Sequence, residues 1–233
     1  MEYTISSLSE DAIIIQFIHD NLHEQTLEVQ KAVHQISQQP FEGFLELVPA
    51  YNTITIYYNP YVIKGSLPFH TVKSQLTKIL DSLNAVVVLN KRIFDIPVCY
   101  EEDFGLDLLE LAANKSLTIQ EIIHLHSNTV YDVVFIGFSP GFPFLSGLDQ
   151  RLHYPRKTSP RLKVKQGSVG ISGKQTGIYP LDTPGGWQII GRTPVNLFDI
   201  YQSPPTLLKA GDQVKFFPIS KKEFEQWESK SWK

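Results

Sequence analysis

Three arginines, Arg156, Arg161 and Arg192, stand with Gln175, Thr176, Gly177, Tyr179 and Trp187 in one stretch of the chain that is poor in carboxylates. A guanidinium group is a planar cationic fork that suits carboxylate and phosphoryl oxygens, and glycine lets the backbone approach a ligand closely. Ten of the fourteen glycines and four of the five arginines lie between Gly137 and Asp199. Between Val133 and Phe198, eight Lys or Arg residues meet only Asp149 and Asp182, a local balance of +6 on a chain whose net charge is −3. Pro155 and Pro160 stiffen the loop that carries Arg156 and Arg161. Gly173 and Gly177 bracket Gln175 and Thr176, which places those side chains on a tight turn. Pro184-Gly185-Gly186-Trp187 reads as a sharp turn presenting a large aromatic, or as a corner with Trp187 packed in the core. These eight residues point to a pocket or partner surface for an anionic or carbonyl-bearing group. They do not assign a catalytic residue.

Two familiar motifs fail on single residues. Gly137-Phe138-Ser139-Pro140-Gly141 fits the G-x-S-x-G elbow, but the residue after the serine must donate its N–H to an oxyanion, and Pro140 has none. The only histidine beyond it is His153, so the segment reads as a structural turn. Gly170 to Gln175 looks like a phosphate-binding loop, yet Ser168 and Gln175 stand where that pattern needs Gly and Ser/Thr. His124 and His126 diverge on a helix, and no cysteine accompanies them, so no metal site is expected. Cys99, the single cysteine, reads as a core residue. Glu101, Glu102, Asp103 and Asp107 read as a solvated cluster capping the helix that follows.

The elements that must position these residues fall into two parts. Over residues 1–90 the pattern predicts a small α+β domain of βαββαβ order, an antiparallel sheet with helices on one face. Its strands are Ala12 to Ile18, Phe44 to Val48, Thr53 to Tyr58 and Val86 to Leu89, and its helices Thr26 to Ile36 and Phe69 to Leu83. From Lys91, a strand at Ile93 to Val98 precedes helices at Phe104 to Ala113 and Thr118 to His126, the second opened by a Thr118/Glu121 capping box. After Val130 short apolar runs alternate with Gly/Pro turns, at Val133 to Ile136, Val169 to Ile171, Gln188 to Ile190 and Val214 to Phe217. That texture belongs to a β-barrel or sandwich over residues 91–220. Residues 221–233 form a polar tail with Phe224 and Trp227 as docking points.

Composition is that of an ordinary globular protein, with 42% hydrophobic and 19% charged residues. The charge argues against a nucleic-acid partner, and no apolar run is long enough to span a membrane. A cytoplasmic location is expected.

The blocks GFSPGFPFLSGL, YPRKTSPR, GSVGISGKQTGIYP, TPGGWQIIGRTP and LFD, with the closing AGDQVKFFPI, resemble the family of the 5-oxoprolinase B subunit, which is also called KipI-like or allophanate hydrolase subunit 1-like. The resemblance covers the whole chain in the right order. Val164-Lys165-Gln166-Gly167 departs from the V-P-A-G run expected there, which bears on the local loop shape. The resemblance implies a cyclophilin-like β-barrel after the α+β domain. It implies a non-autonomous subunit of a bacterial 5-oxoprolinase that converts 5-oxo-L-proline to L-glutamate with ATP hydrolysis. The implied partners are the A and C subunits of that enzyme, the latter KipA-like. ATP with Mg²⁺ is expected at the level of the complex and none tightly bound to this chain, which alone is expected to be inactive. The alternative implied by the KipI label is a regulator that binds a sensor histidine kinase and blocks its autophosphorylation.

Overall fold

The computed structural model describes residues 2–19, 22–65, 67–82 and 91–227. The chain separates into two compact units, Met1–Asn90 and Lys91–Lys233.

In the first unit, β1 (Glu2–Ser9), β2 (Ala12–Ile18), α1 (Leu22–Gln38), β3 (Phe44–Pro49), β4 (Thr53–Tyr58) and α2 (Pro68–Asp81) follow one another. The strands form an antiparallel sheet in the order β1-β2-β4-β3. The element order among the described residues is therefore ββαββα. Strand β1 escapes sequence reading because it is a polar edge strand that buries one residue, Ile5. The expected strand at Val86 to Leu89 lies outside the described residues. Alternate residues Ile13, Ile15 and Phe17 on β2, and Ile54, Ile56 and Tyr58 on β4, are buried in one core with Val29, Ala32 and Ile36 of α1 and Val72, Leu76, Ile79 and Leu80 of α2. The period of two in the strands meets the helical period on one face of the sheet. Pro68 starts α2 at a position whose N–H needs no partner.

The second unit contains β5 (Ile93–Val98), α3 (Leu108–Lys115), α4 (Ile119–Ser127), β6 (Val130–Ile136), β7 (Pro143–Ser146), a 3-10 turn (Gln150–Leu152), β8 (Arg161–Val164), β9 (Ser168–Ser172), β10 (Gln175–Ile178), β11 (Thr183–Gly185), β12 (Gln188–Arg192), β13 (Gln213–Pro218) and α5 (Lys221–Glu225). Seven strands run in the order β12-β9-β10-β7-β6-β13-β5, and β8 pairs with β11 as a separate ribbon. The two ends of the seven-stranded sheet meet. Cys99 and Arg192 exchange backbone hydrogen bonds of 2.8 and 2.9 Å, so the sheet is a nearly closed barrel. Closure removes edges that would otherwise expose unpaired backbone groups. Cys99 is fully buried at that seam, and burial pushes its thiol pKa up.

The predicted helix at Phe104 to Ala113 begins four residues later than its pattern suggests. Phe104 and Gly105 donate to the Glu101 carbonyl in a turn, and a Cβ on Gly105 would sit 2.7 Å from the Ile190 carbonyl oxygen. The backbone is held against β12 before the helix starts. The capping box at Thr118 and Glu121 is present. The expected polar tail opens instead with α5, capped by Ser220 and Glu223, and its Phe224 packs on Phe104 at 4.6 Å. No helix among the described residues is long and apolar enough to cross a membrane.

The last turn of α4 drives His126 into the barrel core, where it is completely buried. Its ring stacks on Phe216 at 4.5 Å. Tyr100 Oη lies 2.7 Å from Nδ1 and Thr176 Oγ1 lies 3.0 Å from Nε2. Because the Thr176 hydroxyl donates to the Gly170 carbonyl, it must accept from Nε2–H, and Nδ1 then accepts from Tyr100. Every polar atom of this chain of bonds is satisfied by a neutral ring. Burial holds the His126 pKa down at about 3. Below the ordinary histidine value near 6.5 the unfolded chain binds a proton that the folded chain refuses, so folded stability falls by about 1.4 kcal/mol per pH unit on this account. We predict that His126→Gln is less stable than the native chain at pH 7, and that the gap narrows at about that rate from pH 6.5 to 5. Urea denaturation at intermediate pH values measures it; parallel slopes for the two proteins would contradict the assignment.

Candidate active site

The motif blocks converge on one cavity of about 250 Å³ in the second unit. The loop between β6 and β7 supplies Phe138 and Phe142, and β7 supplies Phe144. Arg156 and Pro160 come from the proline-stiffened segment before β8, Tyr179 from the end of β10, and Pro184, Gly185, Gly186 and Trp187 from β11 and its exit. The β6–β7 loop is a turn, as its sequence suggests. Phe138 takes a positive φ of 65°, Ser139 N–H donates to the Gly137 carbonyl, and Phe142 N–H donates to the Ser139 carbonyl. Ser139 Oγ is buried without a hydrogen-bond partner, and the His153 ring is tied to the Leu148 carbonyl instead. No nucleophile–base pair forms here.

The walls are aromatic. Phe142 meets Tyr179 and Trp187 edge-on at 5.1 and 5.3 Å, and Phe144 meets Trp187 at 5.7 Å. Gly177 and Gly185 make this packing possible. A Cβ on Gly177 would lie 3.0 Å from both Phe142 and Trp187, and one on Gly185 would collide with the Tyr179 hydroxyl. Burial raises the Tyr179 pKa, while the Trp187 backbone and the charges of Arg156 and Arg161 offset part of the rise. The phenol stays protonated at neutral pH.

The three arginines have three different environments. Arg156 donates from Nε to Ser172 Oγ at 3.0 Å, and its guanidinium lies 6.0 Å over the Trp187 ring. It has no carboxylate partner among the described residues. Arg161 is committed to Asp107 through Nη2 at 2.6 Å, with Nη1 buried and unpaired. Arg192 ends β12 and donates to the Gln166 carbonyl at 2.7 Å, with its fork over Phe224. At about 3.3 Å per strand residue, the length of β12 holds Arg192 roughly 16 Å from Trp187, so these two do not share a pocket.

Of the eight residues singled out by type, the cavity gathers Arg156, Tyr179 and Trp187, with Gly177 pressed against its aromatic wall. Gln175 and Thr176 do not sit on a tight turn; they open β10, and the turn is at Gly173, whose φ is +58°. Thr176 is fully buried under His126. Pro184-Gly185 likewise belongs to strand β11 paired with β8 across a bulge. Gly170 to Gln175 is the β9–β10 hairpin, with no helix behind it to cradle a phosphate.

Residues 3–208 match the model of the carboxyltransferase domain, subdomain C and D. The chain belongs to this carboxyltransferase-domain family. It is 43% identical to the 5-oxoprolinase B subunit of Bacillus subtilis (strain 168), with 99% of each chain covered. It is 41% identical to the 5-oxoprolinase B subunit of Escherichia coli O157:H7, over 83% of this chain and 87% of the other. Among solved structures, the crystal structure of TTHA0988 superposes with a TM-score of 0.76 at 32% identity over 90% of this chain. This chain spans 40% of the length of TTHA0988.

In this member of the family, Asp107 is the residue beside the candidate site that sequence reading misplaced. It is not on a solvated surface but buried at 2% exposure. Its Oδ1 accepts from Lys157 Nζ at 2.8 Å and from Arg161, and its Oδ2 accepts from the Ile189 N–H at 2.7 Å. Burial pushes the Asp107 pKa up, but these three donors outweigh it and the carboxyl sits below its usual value. The aromatic Phe138, Phe142 and Phe144 were also unassigned; their alternation along FSPGFPF was the available signal. Asp107→Asn should leave Arg161 without its counter-charge and Lys157 with only the more exposed Glu110 at 3.5 Å, at a cost of about 3 kcal/mol. Chemical denaturation checks this, and a loss under about 1 kcal/mol would return Asp107 to the ranks of surface pairs.

Proposed function

We propose that this chain is the B subunit of a 5-oxoprolinase that converts 5-oxo-L-proline to L-glutamate at the expense of ATP. The observation that carries the reading is the 43% identity to a 5-oxoprolinase B subunit with 99% of both chains covered. The geometry agrees with a subunit that supplies part of a site. Its motif blocks build an aromatic cavity with one uncommitted cationic fork at Arg156, but no general base and no activated nucleophile accompany it. The barrel that carries the cavity is assigned to the cyclophilin-like type.

A lactam amide resists hydrolysis because of its resonance. Transfer of a phosphoryl group to its carbonyl oxygen would create a better electrophile, a step that depends on positioned cations and N–H donors. The residues of this chain do not fit the nucleotide and its Mg²⁺. The cavity is small, and its lining offers one guanidinium and no carboxylate. Nucleotide binding is therefore proposed to fall to the partner subunits. The A and C subunits of the enzyme are the partners proposed to bring that chemistry. A relative such as TTHA0988, in which the equivalent of this chain is 40% of a longer polypeptide, has covalent room for one of them. Nothing in the structure or in these relationships favours the kinase-inhibitor reading.

Co-expression with the A and C subunits is expected to give ATP-dependent release of glutamate from 5-oxo-L-proline, and this chain alone is expected to give none. If the two partners worked equally well without this chain, the proposal would be overturned.

A further inference from the structure

The cavity at Arg156 and Trp187 can be matched to one of the reactants by size, charge and the faces it leaves open. Its volume of about 250 Å³ falls below the range of roughly 300–1,000 Å³ typical of pockets for drug-sized ligands. A nucleoside triphosphate is larger than such ligands and carries several negative charges. Here a single guanidinium, that of Arg156, lines the cavity to answer them; Arg161 is bound to Asp107 and Arg192 lies outside. Nor are the inner aromatic faces open for a purine; among the lining aromatics only Phe138 is exposed. Trp187 is 5% exposed, Phe142 and Phe144 close on it edge-on, and Arg156 lies above it.

A compact ring with one carboxylate meets the opposite test on each count. Arg156 uses Nε on Ser172 and keeps both Nη groups, the edge of the fork that pairs with a carboxylate in parallel hydrogen bonds. The carbon atoms of a five-membered ring suit the walls formed by Phe142, Phe144 and Trp187. The Tyr179 side chain lines the same cavity, and its O–H can donate to an amide oxygen. We infer that the Arg156–Trp187 cavity seats the cyclic substrate itself, a five-membered lactam bearing one carboxylate, and that the nucleotide is bound elsewhere in the assembly. This assignment rests on the 5-oxoprolinase reading above and goes beyond it by giving this chain the substrate.

The test is steady-state kinetics of the assembled three-part enzyme with Arg156→Gln and Arg156→Lys, varying 5-oxo-L-proline and ATP separately. Loss of a charge-assisted bidentate contact should raise KM for 5-oxo-L-proline by about tenfold or more in Arg156→Gln and leave KM for ATP within about twofold. Arg156→Lys keeps the charge without the fork and should fall between the two, and it serves as the reading if the glutamine variant does not fold. In the isolated full-length chain, the fluorescence of Trp187 should respond saturably to 5-oxo-L-proline. 2-Pyrrolidone, which lacks the carboxylate, should bind about tenfold more weakly, and ATP should not compete. An unchanged KM for 5-oxo-L-proline in both variants, or a rise confined to ATP, overturns the cavity assignment while leaving the subunit reading in place. Full turnover by an assembly that lacks this chain removes the subunit reading itself.

Discussion

A carboxylate buried among cations is stable when both of its oxygens are answered by donors, and Asp107 is held in that way. Its two oxygens receive Lys157, Arg161 and the Ile189 N–H, drawn from the proline-stiffened segment, from β8 and from β12. Asp107 is also the residue immediately before helix α3. Four parts of the second unit are thereby fixed against one another by a single side chain. Two of them, the segment carrying Arg156 and Pro160 and the β11–β12 turn carrying Trp187, form walls of the cavity. Direct bonds add to this pin: Lys157 N–H donates to the Gly186 carbonyl at 2.7 Å and Gln188 Nε2 to the Pro155 carbonyl at 3.0 Å.

The three similar arginines are separated by position. Arg161 is drawn inward by Asp107, and Arg192 lies at the seam where the barrel closes, on the Gln166 carbonyl and above Phe224, outside the cavity. Arg156 has a serine hydroxyl and the Trp187 ring as partners and no carboxylate among the described residues. A cation that is oriented but not neutralised is the condition for binding an anion, because the charge keeps its attraction while the rotamer is already set. The contrast also separates folding from function. His126, Thr176 and Tyr100 make a closed set of bonds in the barrel core, which serves stability and offers nothing to a ligand.

Much of the fold can be read from periodicity and turn chemistry. The alternation in Thr53 to Tyr58, the helical face of α2 and the capping box at Thr118 appear where the residues place them, since each depends on neighbours within a few positions. The elements that sequence reading missed depend on distant partners. Strand β1 buries only Ile5, and β7, β10 and β11 are short, glycine- or proline-containing strands whose pairing is decided by the barrel. Glycine at 173 and 177 signals a turn by itself, yet only one of the two makes it. Gly177 exists for a different reason, the close approach of Phe142 and Trp187.

Sequence by itself determined the family, the segment that carries the site, and the failure of the serine and phosphate-loop motifs, because those follow from residue identity at fixed spacing. Pro140 lacks an N–H in any fold. Tertiary structure alone decided which residues share a cavity. Asp107 and Arg161 are 54 positions apart, and Phe142, Arg156 and Trp187 come from separate loops around the barrel. Their meeting depends on strand order and closure, which act over the whole unit, and no local pattern encodes them. The charged residues changed meaning most, since a carboxylate or guanidinium is a surface group, a structural pin or a ligand contact according to what packs against it.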